Sequence, residues 1–474
     1  MMLARSLSAA AALLSSQRPP LPGDAPQPIV VFAAGAAAQQ SPLARSIHQT
    51  QLDNGLAVVV VENHAVPLAT VLVAVRNGAF TQEPAEEGLA HLYEHILFRS
   101  YQGDPNAFGR AAARLNAAFN GATSEEVVYF FLMVPSKNVD GAIDLMAGLF
   151  QDARFSNQDL KEERPVVLNE LQRHASDPED RLGRQVGQAL WGSSWSRKDP
   201  GGDSTSLAGI TLDRLKQTYA RYYIPNNAAL IVTGDVSGEQ VFEKAREHFR
   251  DWKRGPDPFA GRPIPPIVPR AGNGAVMLAH DVRDVTIRVA LQGPSVGRDT
   301  AATYAADALF DLLNDPASAF QQRLVTAGPF ESVSGAYYTS GHTGSIEIVG
   351  KTTAERAQDA LVRLLNELET LDVLEGVSDE DLAIAKKRRE VQMALERERI
   401  AELAPSLAYW WSSAGLAYHL AYNARMAAQT SDDLRRFASS YVVGRPRVIG
   451  VLAPPETTDR LATWLRQRAA RGGP

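Results

Sequence analysis

The stretch that decides the fold is Gly88-Leu89-Ala90-His91-Leu92-Tyr93-Glu94-His95, which contains the pattern H-x-x-E-H. Residues three and four apart on a helix lie on one face, so His91 and His95 point the same way, one turn apart. Two imidazoles at that spacing can bind one metal ion, although single histidines on helices usually bind none. Glu94 shares the face but is too close in sequence to be an easy third ligand. It is placed to act on a water as a general base.

A third metal ligand has to come from elsewhere, since such zinc sites usually have three protein ligands and a water. The candidate segment is Glu163-Arg164-Pro165-Val166-Val167-Leu168-Asn169-Glu170. Glu163 and Glu170 are seven residues apart, which is two helical turns, so they share a face. Spacing alone does not decide which of them binds. Pro165 must either lie in a first turn or kink the helix, and His174 is a further candidate near the metal.

Composition excludes several functional classes. The chain has 474 residues, 45% hydrophobic and 22% charged, with no cysteine and a net charge of −6. The absence of cysteine excludes disulfides, cysteine-zinc sites and thiol catalysis. A negative net charge gives no electrostatic case for nucleic acid. No stretch after the first 40 residues reaches 18 consecutive apolar residues, so we expect no membrane span.

Residues 1–40 have the character of a targeting or disordered leader rather than of a folded segment. No acidic residue precedes Asp24, and residues 7–14 form an apolar run of small residues. A second apolar run ends in Ala36-Ala37-Ala38, which resembles a signal-peptide cleavage site. We expect export to the periplasm. An organelle presequence, and with it a matrix location, is the alternative, as is the cytoplasm.

The length exceeds what one core usually supports and predicts two domains. Residues 256–269 hold six prolines, which is typical of a semi-rigid linker. We therefore place the first domain at 45–254, the linker at 255–271 and the second domain at 272–474. Both domains close with a helix, an aromatic residue, a turn and an apolar strand, which indicates an internal duplication. The predicted fold is α+β, with two homologous α/β-sandwich domains, each a mixed sheet covered by helices.

These motifs resemble those of the pitrilysin/insulinase family of zinc metallopeptidases. Besides His91 to His95, the resemblance rests on Glu170, which follows His95 by 75 residues. It also rests on the opening turn LDNGL at 52–56 and on YARYYIPNNAALIVTGD at 219–235. It covers about residues 47–460, is specific in the first half, and implies half of a clamshell-shaped chamber.

The resemblance also implies a role for each site residue. His91, His95 and Glu170 are expected to bind one zinc ion per chain. Glu94 is expected to be the base that activates the water, and Glu163 a supporting carboxylate that orients a ligand.

Substrate binding is also implied by the resemblance. The family binds peptides as an added β-strand. Here that strand would pair near residues 120–123, with Asn120 and Ala122 in contact with the peptide.

One departure from the family concerns the oxyanion. Active members usually carry an arginine and a tyrosine seven residues apart in a later domain, and the tyrosine helps to hold the oxyanion. Here Arg323 is followed seven residues later by Phe330. When Leu324 and Gly328 are aligned instead, Val325 stands at the arginine position. We therefore expect a zinc-bearing subunit of a heterodimer, similar to the mitochondrial processing peptidase group, whose partner subunit of the same family supplies the Arg/Tyr pair.

Three functions remain open. The first is a zinc endopeptidase subunit that hydrolyses peptides or unfolded segments in an enclosed chamber. The second is a homodimeric peptidase in which Tyr337 or Tyr338 compensates for the missing pair. The third is a non-catalytic scaffold subunit of the same fold. Scaffold subunits lose residues of the metal motif, and this chain keeps them all, so the first function is favoured.

Overall fold

A computed structural model describes residues 46–470, so the expected leader at residues 1–40 lies outside the described residues. The strands of the first half are β1 (Ile47–Gln51), β2 (Ala57–Glu62), β3 (Leu68–Val75), β4 (Ala118–Thr123), β5 (Val128–Pro135) and β6 (Ala228–Gly234). Its helices are α1 (Leu89–Ser100), α2 (Ala107–Arg114), α3 (Val139–Gln151), α4 (Asn157–Ser176), α5 (Pro178–Trp191), α6 (Ser204–Gly209), α7 (Leu212–Tyr222) and α8 (Gly238–His248).

The second half repeats this order of elements. Its strands are β7 (Gly274–Ala279), β8 (Val285–Gln292), β9 (Phe330–Tyr337), β10 (Ser345–Thr352) and β11 (Arg447–Ala453). Its main helices are α9 (Val296–Leu313), α10 (Ala357–Glu369), α11 (Asp379–Glu398), α12 (Ile400–Ser413), α13 (Leu416–Ala427), α14 (Ser431–Tyr441) and α15 (Pro455–Ala470).

The two sheets share one topology. The first has the strand order β1-β2-β6-β3-β5-β4 and the second β7-β11-β8-β10-β9. In each sheet one pair is parallel, β2 with β6 and β7 with β11, and the other pairs are antiparallel. The repeated order confirms the predicted fold class of two similar mixed sheets covered by helices.

Burial explains why the central strands form. Strand β6 reads AALIVTG and is buried along its whole length, which is typical of a strand with both faces covered. On one face of the first sheet lie α1 and α3, and on the other lies α12 of the second half, which contacts β3 and β6. The two halves are therefore joined by a common apolar core.

The outer strand of the first sheet is β4, which pairs with β5 alone. Residues 118–120 of β4 are exposed and residues 121–123 are half-buried. An outer strand offers its backbone N–H and C=O groups to a further strand. This edge lies beside α1.

Some sequence-based expectations differ from the structure. In the second half, the elements predicted from the sequence include none of β7, β9, β10, α12 and α13. The proline-rich segment lies between α8 and β7, where residues 249–273 form neither helix nor strand. Its assignment as a linker between domains at 45–254 and 272–474 stays a prediction. Among residues 46–470, no helix combines the length and apolar character needed to cross a membrane.

Candidate metal centre

Helix α1 is held at its N-terminus by a side chain from the preceding loop. The Gln82 Oε1 atom accepts hydrogen bonds from the backbone N–H groups of Gly88 at 3.1 Å and Ala90 at 3.2 Å. Gly88 has a φ of +87°, a left-handed conformation that favours glycine. The apolar face of α1 is buried and comprises Leu89, Ala90, Leu92, Tyr93, Ile96 and Leu97. His91, Glu94 and His95 therefore lie on the face turned toward α4.

Helix α4 supplies the opposing carboxylates. It begins with a capping box between Ser156 and Asp159. Pro165 is not in the first turn, because the helix starts at Asn157 and continues to Ser176. Arg99 of α1 forms ion pairs with Glu162 and, at 3.3 Å, with Glu163. These pairs join the two helices beside the histidines.

The structure separates the two glutamates that spacing alone leaves equivalent. Glu170 Oε2 lies 3.7 Å from His91 Nε2 and 3.4 Å from His95 Nε2. Glu163 Oε2 lies instead 3.3 Å from His95 Nδ1, on the other side of that ring. Glu170 therefore faces the Nε2 atoms of both histidines, which converge on one point. Glu163 contacts the opposite nitrogen, Nδ1, of His95.

The donor atoms of His91, His95 and Glu170 fit a metal ion. One ligand atom from each lies within 4.8 Å of the others. A tetrahedral zinc with bonds of about 2.1 Å spaces its ligand atoms by about 3.4 Å. The distances from Glu170 to the two histidines match that spacing closely. Two imidazoles and one carboxylate are also a ligand set that zinc enzymes use.

The pKa values show how strongly these groups interact. Burial lowers the pKa of His91 to about 4, and the neighbouring charge of His95 adds to the effect. Burial also lowers the pKa of His95, but hydrogen bonds with Glu163 and Glu170 outweigh it and raise the value to about 10. The pKa of Glu170 is lowered, mainly by its hydrogen bond with His95. His91 is therefore neutral at physiological pH, whereas His95 carries a proton that metal binding at this site would displace.

Glu94 is held against β4. Its Oε2 atom accepts a hydrogen bond from Thr123 Oγ1 at 2.6 Å. A Cβ atom at Gly121 would lie 2.9 Å from Glu94 Cγ, so glycine allows the strand to approach this closely. Burial raises the pKa of Glu94 to about 7, against the opposing effects of Thr123 and His95. A carboxylate with a pKa near neutrality is suited to general base catalysis.

The residues predicted to contact a peptide lie on the same strand. Asn120 is exposed and Ala122 is half-buried, on either side of Gly121. Gly121 and Thr123 face Glu94, so the side chains of Asn120 and Ala122 point to the opposite face of the strand. The contact of Asn120 and Ala122 with substrate stays a prediction.

Other predicted residues are engaged elsewhere. Arg323 forms an ion pair with Glu367, with Nε at 2.6 Å from Oε1, and Phe330 is buried at the start of β9. The hydroxyl of Tyr337 is buried and donates to the Pro294 carbonyl at 2.9 Å. The exposed His174 pairs with Asp180 at 2.9 Å and is not one of the three clustered ligand residues.

Sequence reasoning missed three groups that support the site. These groups are Gln82, which caps α1, Arg99, which joins α1 to α4, and Thr123, which bonds to Glu94. A signal existed for Arg99, because it follows His95 by four residues and so shares its helix face. No local signal identifies Gln82 or Thr123, since their partners depend on how loops and strands pack.

Comparison with known proteins identifies two matching family models and relatives that are described as zinc proteases. Residues 57–197 match the family model described as insulinase (peptidase family M16), and residues 209–389 match the model described as peptidase M16 inactive domain. A relative from Mycobacterium tuberculosis, described as an uncharacterized zinc protease, is 27% identical over 348 residues. That alignment covers 71% of this chain and 77% of the relative.

Solved structures have the same fold. A protease from Helicobacter pylori matches with a TM-score of 0.76 at 22% identity, over 86% of this chain and 99% of the other. The periplasmic protease PqqL from Escherichia coli matches with a TM-score of 0.71 at 18% identity. That match covers 90% of this chain but 49% of PqqL, so this chain corresponds to one half of it. On these matches and the repeated two-sheet fold, the chain belongs to the insulinase family, peptidase family M16.

Proposed function

We propose that this chain is a zinc-dependent endopeptidase that hydrolyses peptides or unfolded segments. The observation that carries the proposal is the convergence of His91, His95 and Glu170, with Glu94 beside them and against the outer strand β4. The family membership and the zinc-protease relative support the same reaction class.

His91, His95 and Glu170 are the proposed zinc ligands. When bound there, zinc would polarise a peptide carbonyl and lower the pKa of a water to about 7. Glu163 accepts the Nδ1 proton of His95 and so fixes the orientation of that ring. Arg99 in turn holds Glu163 by an ion pair at 3.3 Å.

Glu94 is the proposed general base. Its carboxylate takes a proton from the attacking water and passes it to the leaving amine. The Thr123 hydroxyl keeps one oxygen of Glu94 in place. A peptide that adds to the edge of β4 would pass Asn120 and Ala122 and bring its scissile bond beside Glu94.

A second subunit is proposed to complete the oxyanion site. Arg323 is tied to Glu367 and Phe330 is buried, so neither stands in for the Arg/Tyr pair. PqqL is a single chain of which this chain matches about half, which supports a second half of the same fold. In a heterodimer the partner subunit would carry the pair.

A homodimeric peptidase is the alternative. Tyr337 does not favour it, because its hydroxyl is already bonded to Pro294. Tyr338 does not favour it either, because the cavity of about 1030 Å³ that it lines includes neither Glu94 nor any of the three proposed ligands in its wall. The native mass of the active complex, together with the identity of its chains, distinguishes the two assemblies.

We further propose that the reaction takes place in the periplasm. The resemblance of residues 36–38 to a cleavage site supports export, and PqqL is described as periplasmic. The N-terminal sequence of the mature protein from fractionated cells tests this proposal, because export predicts a chain that begins near residue 39 or 40. An intact N-terminus in the cytoplasmic fraction would contradict it.

The central test is the variant Glu94→Gln, measured in the purified complex. We expect one zinc per chain to remain and peptide hydrolysis to fall by about 10³-fold, which is within the usual contribution of a general base. Glu243→Gln, an exposed carboxylate on α8 remote from the site, is the matched control and should stay active. Hydrolysis retained in Glu94→Gln would refute the role of Glu94, and a wild-type complex that binds zinc but cleaves no peptide would favour the scaffold function.

A further inference from the structure

A buried carboxylate lies in the turn between β4 and β5. Glu126 is 1% exposed, although it belongs to a short polar turn at residues 124–127 that would ordinarily face solvent. It accepts hydrogen bonds from Ser340 Oγ at 2.8 Å and from the backbone N–H groups of Gly341 and His342, each at 3.0 Å. The His342 Nδ1 atom lies 2.9 Å from the same carboxylate.

All four donors come from one loop of the second half, at residues 339–343 between β9 and β10. Removing a carboxylate from water costs several kcal/mol unless hydrogen bonds replace the lost hydration. Burial raises the pKa of Glu126, but His342, Lys198 and the Gly341 N–H outweigh it and lower the value to about 2. The loop thus forms a binding site for the carboxylate of one side chain, Glu126.

Contacts on either side hold the same turn. Lys198 Nζ lies 2.8 Å from Glu125 Oε2 and 2.5 Å from the Thr343 carbonyl, and so bridges the turn and the loop. Ser412 on α12 donates its hydroxyl hydrogen to the Glu126 carbonyl. The second half therefore contacts this turn through both the 339–343 loop and α12.

The turn is continuous with the candidate site. Thr123, which donates to Glu94, is the residue immediately before it. Ala122 and Thr123 pair with Tyr129 and Val128 across the β4–β5 hairpin. Because a hairpin turn fixes the register of its two strands, a shift of the turn would move Thr123 and the outer edge of β4.

We propose that the 339–343 loop positions β4 and Thr123 against Glu94 by binding the Glu126 carboxylate. In this inference Glu126 is a positioning residue that touches neither substrate nor metal. It gives the second half, which supplies none of the three clustered ligand residues, a direct part in shaping the site. The inference rests on the proposed peptidase function.

The test compares three variants of the full chain. Glu126→Gln keeps the shape of the side chain but removes its charge, and Ser340→Ala removes one donor. The matched control is Lys351→Met, which breaks another contact between the halves, Lys351 with Glu179 at 3.0 Å. Each variant is examined by hydrogen exchange of the metal-free chain, by zinc content, and by kcat and KM in the active complex.

We expect Glu126→Gln to raise amide exchange in residues 118–128 by about tenfold or more, with exchange elsewhere and zinc content unchanged. In the complex we expect kcat to fall by about tenfold and KM to rise, since both the base and the peptide-binding edge are displaced. Ser340→Ala should show the same pattern at a smaller size, and it keeps the test decisive if Glu126→Gln fails to fold. Lys351→Met should show none of it.

Two outcomes would overturn the inference. One is unchanged exchange in residues 118–128 of both Glu126→Gln and Ser340→Ala. The other is a rise of equal size throughout the chain or in Lys351→Met, which would indicate general loosening between the halves. The exchange result needs no catalytic activity, so a failure of the proposed peptidase function would be recognised separately, as a wild-type complex that cleaves nothing.

Discussion

Helices α1 and α4 of the first half and helices α9 and α11 of the second stand at equivalent points in the repeated order, and the two helices of each pair contact each other. In the first pair, two histidines one turn apart on α1 face Glu170 of α4. Both imidazoles and the Glu170 carboxylate can donate a lone pair to a cation. A metal ion is the cation that all three can bind at once.

The second pair carries a similar arrangement with a different outcome. Asp307 and Asp311 also lie one turn apart, on α9, and face Arg389 of α11. Arg389 binds Asp311 through two nitrogens, with Nε at 2.6 Å from Oδ2. The hydroxyl of Tyr422 donates to Asp307 at 2.6 Å.

The helix pair by itself therefore does not determine whether a metal binds between its helices. In the second half a guanidinium fills the space between the helices and neutralises Asp311, so the acidic groups need no added cation. In the first half the α4 helix presents a carboxylate rather than a cation to the two ring nitrogens. Metal binding therefore depends on the charge of one or two side chains on a common scaffold.

The largest effect is expected from removing a proposed metal ligand in the first half of the chain. Glu170→Ala removes one of three proposed ligands, and we expect zinc to be lost and hydrolysis to fall by at least about 10³-fold, beyond recovery by added zinc. Chelation and reloading of the wild-type complex provide the reference. Asp311→Asn, at the site that needs no metal, should leave the zinc content unchanged as measured by metal analysis.

The next largest effect is expected from removing the cation that neutralises Asp311 in the second half of the chain. Arg389→Met leaves the half-buried Asp311 without its charged partner, and we expect a cost of about 2 to 3 kcal/mol, below the roughly 3 to 5 kcal/mol typical of a fully buried pair. Calorimetry should show that loss in the free energy of unfolding, with zinc content unaltered. Arg435→Met, which breaks a surface pair with Asp432, should change stability by less than about 1 kcal/mol. Equal losses in both variants would contradict this account.

A pH titration tests how burial affects the ionisation of Asp307 in the second half. Burial raises the pKa of Asp307 to about 7, against the opposing effects of Arg389 and Tyr422. A carboxyl whose pKa is raised on folding contributes stability that is present below pH 4 and is lost as the pH rises through about 7. The full difference corresponds to about 4 kcal/mol at 1.36 kcal/mol per pKa unit.

The measurement for this prediction is the free energy of unfolding of wild type and Asp307→Asn between pH 4 and pH 8. Asparagine does not ionise, so the stability of the wild type relative to the variant should decline across that range. A difference that stays constant with pH would show that Asp307 does not titrate there.

The smallest predicted effect concerns support rather than ligation. Glu163→Gln keeps a hydrogen-bond acceptor for His95 but weakens its charge, and partners of this kind typically contribute 10- to 100-fold to metal affinity or activity. We expect a loss of about tenfold in zinc affinity, measured by competition with a chelator. Complete loss of zinc would show that Glu163 is itself a ligand, and the assignment of Glu170 would then need revision.

The clustering of the three candidate ligands was largely predictable from sequence, because the two histidines follow helical spacing. The H-x-x-E-H pattern placed His91 and His95 on one face, and resemblance proposed Glu170. Spacing alone could not separate Glu170 from Glu163, because both share a face of α4. Only the packing of α4 against α1 decides which carboxylate meets Nε2 and which meets Nδ1 of His95.

Other parts of the molecule depend on distant partners and could not be predicted locally. Strand β10 is an exception, because its sequence SIEIVGKT alternates between buried and more exposed positions and so carries a local strand signal. Strand β9 contains serine and glycine, which weaken such a signal. Glu126 lies among polar residues and resembles a solvated turn, since the loop that buries it is more than 200 residues away.

The contacts of Glu126 can form only late in the synthesis of the protein. Its carboxylate meets the His342 N–H across a sequence separation of 216 residues. At a translation rate of about 5 to 20 residues per second, those partners are made roughly 10 to 40 seconds after Glu126. Until then, the β4–β5 hairpin lacks the contacts that fix its turn, and its outer edge is open to pairing with other chains. We therefore expect the nascent first half to be a stage at which misassembly can begin and at which a chaperone would protect the chain.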